Sequence, residues 1–386
     1  MKQFDIAQLS DETDIADLAD APMQTAAYNQ VYREWRCREG NLFAFRGKLK
    51  QNLHTYVDGI GVRENAPAKR ERLALHNVFL LIAGVVLIYA LAENVLVLPL
   101  MLLLKALGIE ISYSFNEQIA YGNQYAVLCV LLFETLLKYL LPVWLVHTQV
   151  KMPRKAAYPL AVRDKWCVGA AVCSMCIGFF AVSLLRLLFP VEIFNVNNIG
   201  MSYEVISYMD AWCSTFYLIF KLAITPILAE VLLHGMLFQV LRQFGVSYAV
   251  LLTAFLNAMV LHDPVAFLTT FVTAVLTGYG VWQSGSLLTG IWVRMLSRTM
   301  SFLLFESENF PSLGRIPGSV WFLLLVLLVG ALGWGLLSLS SKKKWTLRDY
   351  VTFLPMRTKA KAAACSMPML AVWILCFLLM MIEIFS

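Results

Sequence analysis

Charge is scarce in this chain. Only 15% of its 386 residues are Asp, Glu, Lys or Arg, against 59% hydrophobic ones, and the mean hydropathy is +0.68. That balance excludes an ordinary soluble enzyme with a large core and points to a polytopic membrane protein. Other absences narrow the reading further. The first twenty residues, MKQFDIAQLSDETDIADLAD, are acidic and lack an apolar h-region, so no cleavable signal peptide is expected. The H-E-x-x-H zinc order is missing. Cys173 and Cys176 form a C-x-x-C, but no second pair is spaced to complete a four-ligand zinc site, and most cysteines fall inside apolar stretches. A packing role is therefore expected for the thiols, with no disulfide framework. Long-period repeats and low-complexity tracts are also missing.

Apolar windows of the roughly 20 residues needed to cross the hydrocarbon layer recur along the chain. They lie near 77–104, 124–147, 166–189, 211–228, 229–243, 247–262, 264–283, 286–305, 319–340 and 368–385. No polar loop separates 211–228 from 229–243, only Pro226, so these two read as one kinked helix. The predicted fold class is all-α, a polytopic membrane helical bundle of about nine transmembrane helices. The expected organisation is an N-terminal cytosolic or interfacial segment (1–76), a transmembrane bundle (77–340), a basic cytosolic linker (341–367) and a last transmembrane helix (368–386).

Basic residues alternate between loops. Arg63, Lys69, Arg70 and Arg72 precede the first window; Lys151, Arg154, Lys155, Arg163 and Lys165 follow the second; Arg242 and the run Lys342–Lys361 fall on the same side. Opposite segments hold only Lys105, Arg315 and, across 190–209, no Lys or Arg. The positive-inside rule then sets the N-terminus in the cytosol and the C-terminus outside, in a cytoplasmic (inner or plasma) membrane. The net charge of +6 comes from these flanks and implies membrane lipids as partners, with no nucleic acid. Around Tyr28–Lys50 the tail turns basic and aromatic, which suits helices lying on an anionic leaflet or, as the sharper alternative, a docking arm.

Within this apolar background the stretch TPILAEVLLHG (225–235) puts a carboxylate and an imidazole inside a hydrophobic span. Ionisable groups are expensive there and mark function by default. Glu230 and His234 stand at i and i+4 on one helix face, His262 and Asp263 follow, and Arg294 and Arg298, again i and i+4, lie in a later apolar segment. Elsewhere Glu134 and Lys138, also i and i+4, most simply pair with each other.

Residues 221–305, about 85 positions, resemble the core of the CPBP or Abi family, which includes the type II CAAX prenyl endopeptidases and bacteriocin-processing or immunity proteins. That family's pattern is P-I-x-E-E-x-x-x-R-G, then F-x-x-x-H, then G-S-L followed by H-x-x-x-N. Pro226, Ile227, Glu230, Gly235, His262, Gly285, Ser286 and Leu287 match it. Where the family has its first Glu stands Ala229; its Arg is His234, its Phe is Ala258, and its third-motif His and Asn are Arg294 and Arg298. The resemblance implies a CPBP-type core over about 221–305, with a family site built from the first Glu and second-motif His as water activators and the third-motif His and Asn as oxyanion donors. Of those positions only His262 is kept.

A general base must lie within hydrogen-bond reach of its water, which Ala229 cannot. Glu230 points about 100° further around the helix and needs a shifted or kinked helix to replace it. Losing the base alone costs about 10²–10⁴ in rate. The expected function is therefore a catalytically impaired, CAAX protease-like membrane protein acting as a peptide- or lipid-binding or assembly subunit, with a protein or peptide partner in the membrane. Two alternatives stay open: an active intramembrane endopeptidase using Glu230 and His262 with His234, and a transport-associated subunit. No cofactor is expected. Glu230, His234 and His262 form a weak metal-ligand set, opposed by the nearby arginines; the alternative is a buried charge network of Glu230, His234, His262, Asp263, Arg294 and Arg298.

Overall fold

The computed structural model describes residues 25–46, 55–57, 61–63, 66–114, 119–162, 164–188, 209–261, 266–307, 317–340 and 352–385. Among them the chain is almost wholly helical. Its strands are two short antiparallel hairpins, Thr55–Val57 with Gly61–Arg63 and Ile111–Ser114 with Ile119–Gly122.

The helices follow the apolar windows. α1 (Ala26–Cys37) precedes α2 (Ala66–Asn94), α3 (Val97–Ala106), α4 (Gln124–Val150), the single turn α5 (Arg154–Ala157) and α6 (Lys165–Leu188). Then comes the 34-residue α7 (Ala211–Phe244), followed by α8 (Val246–Val260), α9 (Phe267–Ser284), α10 (Leu287–Glu306), α11 (Gly318–Ser340), α12 (Met356–Cys365) and α13 (Met367–Phe385). Caps set several ends. The Asn123 side chain accepts from the backbone N–H groups of Tyr125 and Ala126 at the start of α4, and Asp210 accepts from Cys213 N–H, at 2.8 Å, at the start of α7.

Among the described residues five helices are long and apolar enough to cross a membrane: Pro67–Ala106, α4, Lys165–Leu185, α7 and Gly318–Leu339; the bent pair α12 and α13, meeting at 58°, makes a sixth if counted as one span. The remaining helices of the expected set, α8, α9 and α10, fall outside that group. α8 has 15 residues, and α9 and α10 carry Thr and Ser side chains together with Arg294 and Arg298. α8 is apolar but short, whereas the hydroxyl and arginine side chains of α9 and α10 are those that line the site.

The long α7 is one continuous helix across Pro226, as the missing loop predicts. Beyond the expected proline effect it holds two π turns, Phe220–Ile224 just before Pro226 and Val231–Leu237 around His234. A π turn re-aims side chains within a helix and is frequent at functional sites.

Three apolar clusters hold the bundle. The largest gathers α1, α2, α4, α7, α8 and α13; a second joins α3 and the start of α4 to Met209, Cys213 and Tyr217; the third packs Met175 and Phe179 of α6 against Val293 and Met300 of α10 and Leu323 and Val326 of α11. Cys173 and Cys176 lie in the α6–α11 seam, where Gly333 and Gly330 leave room for them. Lys138 pairs with Glu134 at 2.8 Å as expected, and Glu93 of α2 joins it at 3.0 Å.

Two segments outside the long apolar helices also pack on the bundle. α1 packs on the protein's own bundle: Tyr32 Oη donates to Gln239 O (2.9 Å), Trp35 Nε1 to Val150 O (3.0 Å), and the Arg242 guanidinium lies 3.7 Å from the Tyr32 ring centroid. The same basic and aromatic pattern that suits an anionic leaflet serves here to stack on a buried arginine. Burial pushes the Tyr28 hydroxyl up to about 12. Within the expected linker 341–367, residues 356–365 form α12. Its Lys359 is buried, donating to Phe244 O and to Thr352 Oγ1 (2.6 Å), with Glu71 at 3.7 Å.

Candidate functional site

The site lies where α7, α8, α9 and α10 meet. Gly285 makes the tight turn between α9 and α10: at φ +66° it adopts the left-handed conformation that glycine takes without a Cβ penalty. Ser286 then caps α10 by accepting from Leu288 N–H (3.3 Å), and its own hydroxyl donates to Leu160 O (3.1 Å). The Gly-Ser-Leu motif is thus a turn and a cap. It fixes where the arginine-bearing helix begins. Gly235 likewise admits the Tyr158 ring, which an added Cβ would meet at 3.0 Å.

Glu230 is 0% exposed and both its oxygens are taken. Oε2 accepts from His234 Nδ1 at 2.7 Å, and Oε1 accepts from Arg294 Nε. Arg294 also donates through Nη1 to Asn257 Oδ1 of α8 (3.2 Å). The approach depends on two glycines. At Gly290 a Cβ would stand 2.6 Å from Glu230 Oε2, and at Gly278 3.1 Å from His234 Nε2. Each carboxylate lone pair that faces a donor offsets part of the cost of burying the charge, and the arginine supplies the opposite charge.

Two polar atoms of this cluster are buried and have no hydrogen-bond partner among the described residues: His234 Nε2 and Arg294 Nη2. Beside Arg294 opens a cavity of about 30 Å³, lined by Asn257, Ala266, Thr269, Thr270, Thr273, Arg294, Ser297, Arg298 and Ser301. Arg294, Ser297, Arg298 and Ser301 stand at i, i+3, i+4 and i+7, one stripe of α10.

Of the residues singled out from sequence, Glu230, His234 and Arg294 are brought together, and Arg298 lines the adjoining cavity. His262 and Asp263 lie outside the described residues. Among the described residues no group of three or more His, Cys, Asp or Glu side chains converges as a metal site. Asn257 and the hydroxyl stripes of α9 and α10 escaped the sequence reading. Their signal was there in Thr269, Thr273 and Thr277 and in Ser297 and Ser301, each at helical spacing.

A family model, Rce1-like, described as type II CAAX prenyl endopeptidase Rce1-like, matches residues 211–300, a range covering α7, α8, α9 and most of α10. No curated protein and no solved structure matches the chain. The match agrees with the motif framework. Together they fit a CPBP-type membrane protein with several apolar helices.

Proposed function

We propose that this protein is a non-hydrolytic relative of the CAAX prenyl endopeptidases, serving in the membrane as a binding or assembly subunit for a peptide, lipid or protein partner. The observation that carries this reading is the state of Glu230. A general base needs an oxygen open to a water that also faces the scissile carbonyl. Here both oxygens are engaged, one by a guanidinium, and the residue is sealed from solvent. The neighbouring position, where the family model's relatives would carry the base, is the buried Ala229. The positions expected to supply oxyanion donors hold Arg294, which is committed to Glu230 and Asn257, and Arg298. The chain is read as lying in the cytoplasmic membrane, N-terminus in and C-terminus out, with α8, α9 and α10 completing about nine crossings.

The test is cleavage of a prenylated C-terminal peptide by the purified, monodisperse protein. Turnover no greater than that of the Glu230→Gln variant is expected. Robust cleavage that disappears in Glu230→Gln overturns the reading. A reporter fused after Ser386 should read as extracytoplasmic, and a cytoplasmic signal removes the orientation.

A further inference from the structure

The geometry points to the cavity beside Arg294 as a binding site for a single carboxylate group. Arg294 is 8% exposed at its side chain, and its Nη2 is buried with no partner among the described residues. A guanidinium nitrogen can only donate, so what completes it must be an acceptor. The cavity it lines contains two arginines and, among the described lining residues, no Asp or Glu. Hydroxyls supply more donors. Thr273 Oγ1 and Ser297 Oγ share one hydrogen bond at 3.3 Å, so one of the two hydroxyl protons remains for a ligand, whereas Ser301 spends its proton on Ser297 O.

Size selects among anions. A cavity of about 30 Å³ exceeds the roughly 10–15 Å³ one water requires, so it holds about two oxygen-sized groups. A carboxylate has two oxygens, one for Arg294 Nη2 and one for the hydroxyl proton left over from the Thr273–Ser297 pair, and its carbon substituent can leave by the open side of the cavity. A phosphate, with four oxygens, asks for more room. Glu230 satisfies Arg294 on one edge, and the ligand carboxylate would satisfy it on another. The inference rests on the non-hydrolytic reading, because it treats the arginines as binding groups and not as failed oxyanion donors.

The carboxylate can belong to a small soluble acid or to an amphiphile in the bilayer, and two probes separate these. Full-length protein in detergent is titrated with sodium acetate and with sodium octanoate, with sodium chloride at matched ionic strength as control. Saturable binding of at least one carboxylate, weakened tenfold or more in both Arg298→Gln and the cavity-filling Ser297→Leu, is expected. Binding of acetate as tight as that of octanoate identifies a soluble ligand, and binding of octanoate alone identifies an amphiphile. Ser297→Leu leaves the Glu230–Arg294 contact in place, so a monodisperse variant with an unchanged unfolding temperature keeps the comparison valid if Arg298→Gln does not fold. No saturable binding, equal binding in the folded variants, or competition by chloride as effective as by acetate overturns the assignment. The peptidase assay reads separately: peptide cleavage lost in Glu230→Gln defeats the non-hydrolytic reading, whereas absent carboxylate binding with absent cleavage defeats only this ligand.

Discussion

Glu230 and Arg294, 64 residues apart in the chain, meet side chain to side chain in the interior, with exposures of 0% and 8%. Such a pair is asymmetric in its energetics: forming it gains little over an apolar replacement, but removing one partner strands a buried charge. Glu230→Leu and Arg294→Met should therefore each destabilise by about 3–5 kcal/mol. The double change Glu230→Leu with Arg294→Met should recover most of that, less about 1 kcal/mol for the hydrogen bond His234 loses. Unfolding in detergent measures all three. If the double variant is as unstable as the two single effects added, the pair is not coupled.

Much of this site could be read from one sequence, for definite reasons. Apolar runs announced the helices because lipid and core select the same side chains. Glu230 and His234 were visible as neighbours because i and i+4 share a face, and the arginines because membrane charges need partners. Which carboxylate Arg294 chooses was open, since cross-helix pairing depends on α7 and α10 lying side by side. Gly290 of α10 and Gly278 of α9 matter only through their own close approach to α7. The π turns left no trace either, as hydropathy does not record an extra residue per turn. The contacts of α1 with α7 were equally out of reach, because a basic, aromatic segment has the same composition whether it faces a leaflet or its own bundle.

Gly290 offers a sharp test of the close approach. A Cβ there would stand 2.6 Å from Glu230 Oε2 and 2.7 Å from Val281 Cγ2, with Thr277 Cγ2 at 3.2 Å. Gly290→Ala should cost about 1–3 kcal/mol through overpacking. Gly335 is the control, also helical but with nothing within 4 Å of the added atom. There the alanine should gain about 0.5–1 kcal/mol from helix propensity. Equal melting temperatures for the two variants would contradict the packing at the site.

Asp210 sets a pH dependence. Its carboxyl is held below the usual carboxylate range chiefly by the backbone N–H of Cys213, and Gln124 and Tyr125 of α4 also donate to it. With the folded value depressed, the charged cap's contribution is complete above the unfolded pKa and is lost as pH falls through the folded one. Asn caps a helix about as well but carries no charge. The wild type should thus melt above Asp210→Asn at pH 7, and the gap should close in strong acid. A gap constant from pH 7 to pH 3 would remove the charge from the account.

The last test separates a helix packed on the bundle from one laid on lipid. Tyr32 is fully buried beneath the Arg242 guanidinium, and its hydroxyl donates to Gln239 O near the end of α7. Tyr32→Phe removes the hydroxyl alone and should cost about 1 kcal/mol. Tyr32→Ala also removes the ring and opens a cavity beside a buried cation, so a loss of about 3–5 kcal/mol is expected. Because α1 touches α7 through this ring, Tyr32→Ala should also speed amide exchange in α1 and at the Arg242 end of α7 together. Those effects should persist in detergent with no anionic lipid present. If α1 exchanges freely in detergent and becomes protected only on adding anionic vesicles, the helix belongs to the leaflet and the stacking on Arg242 is not what holds it.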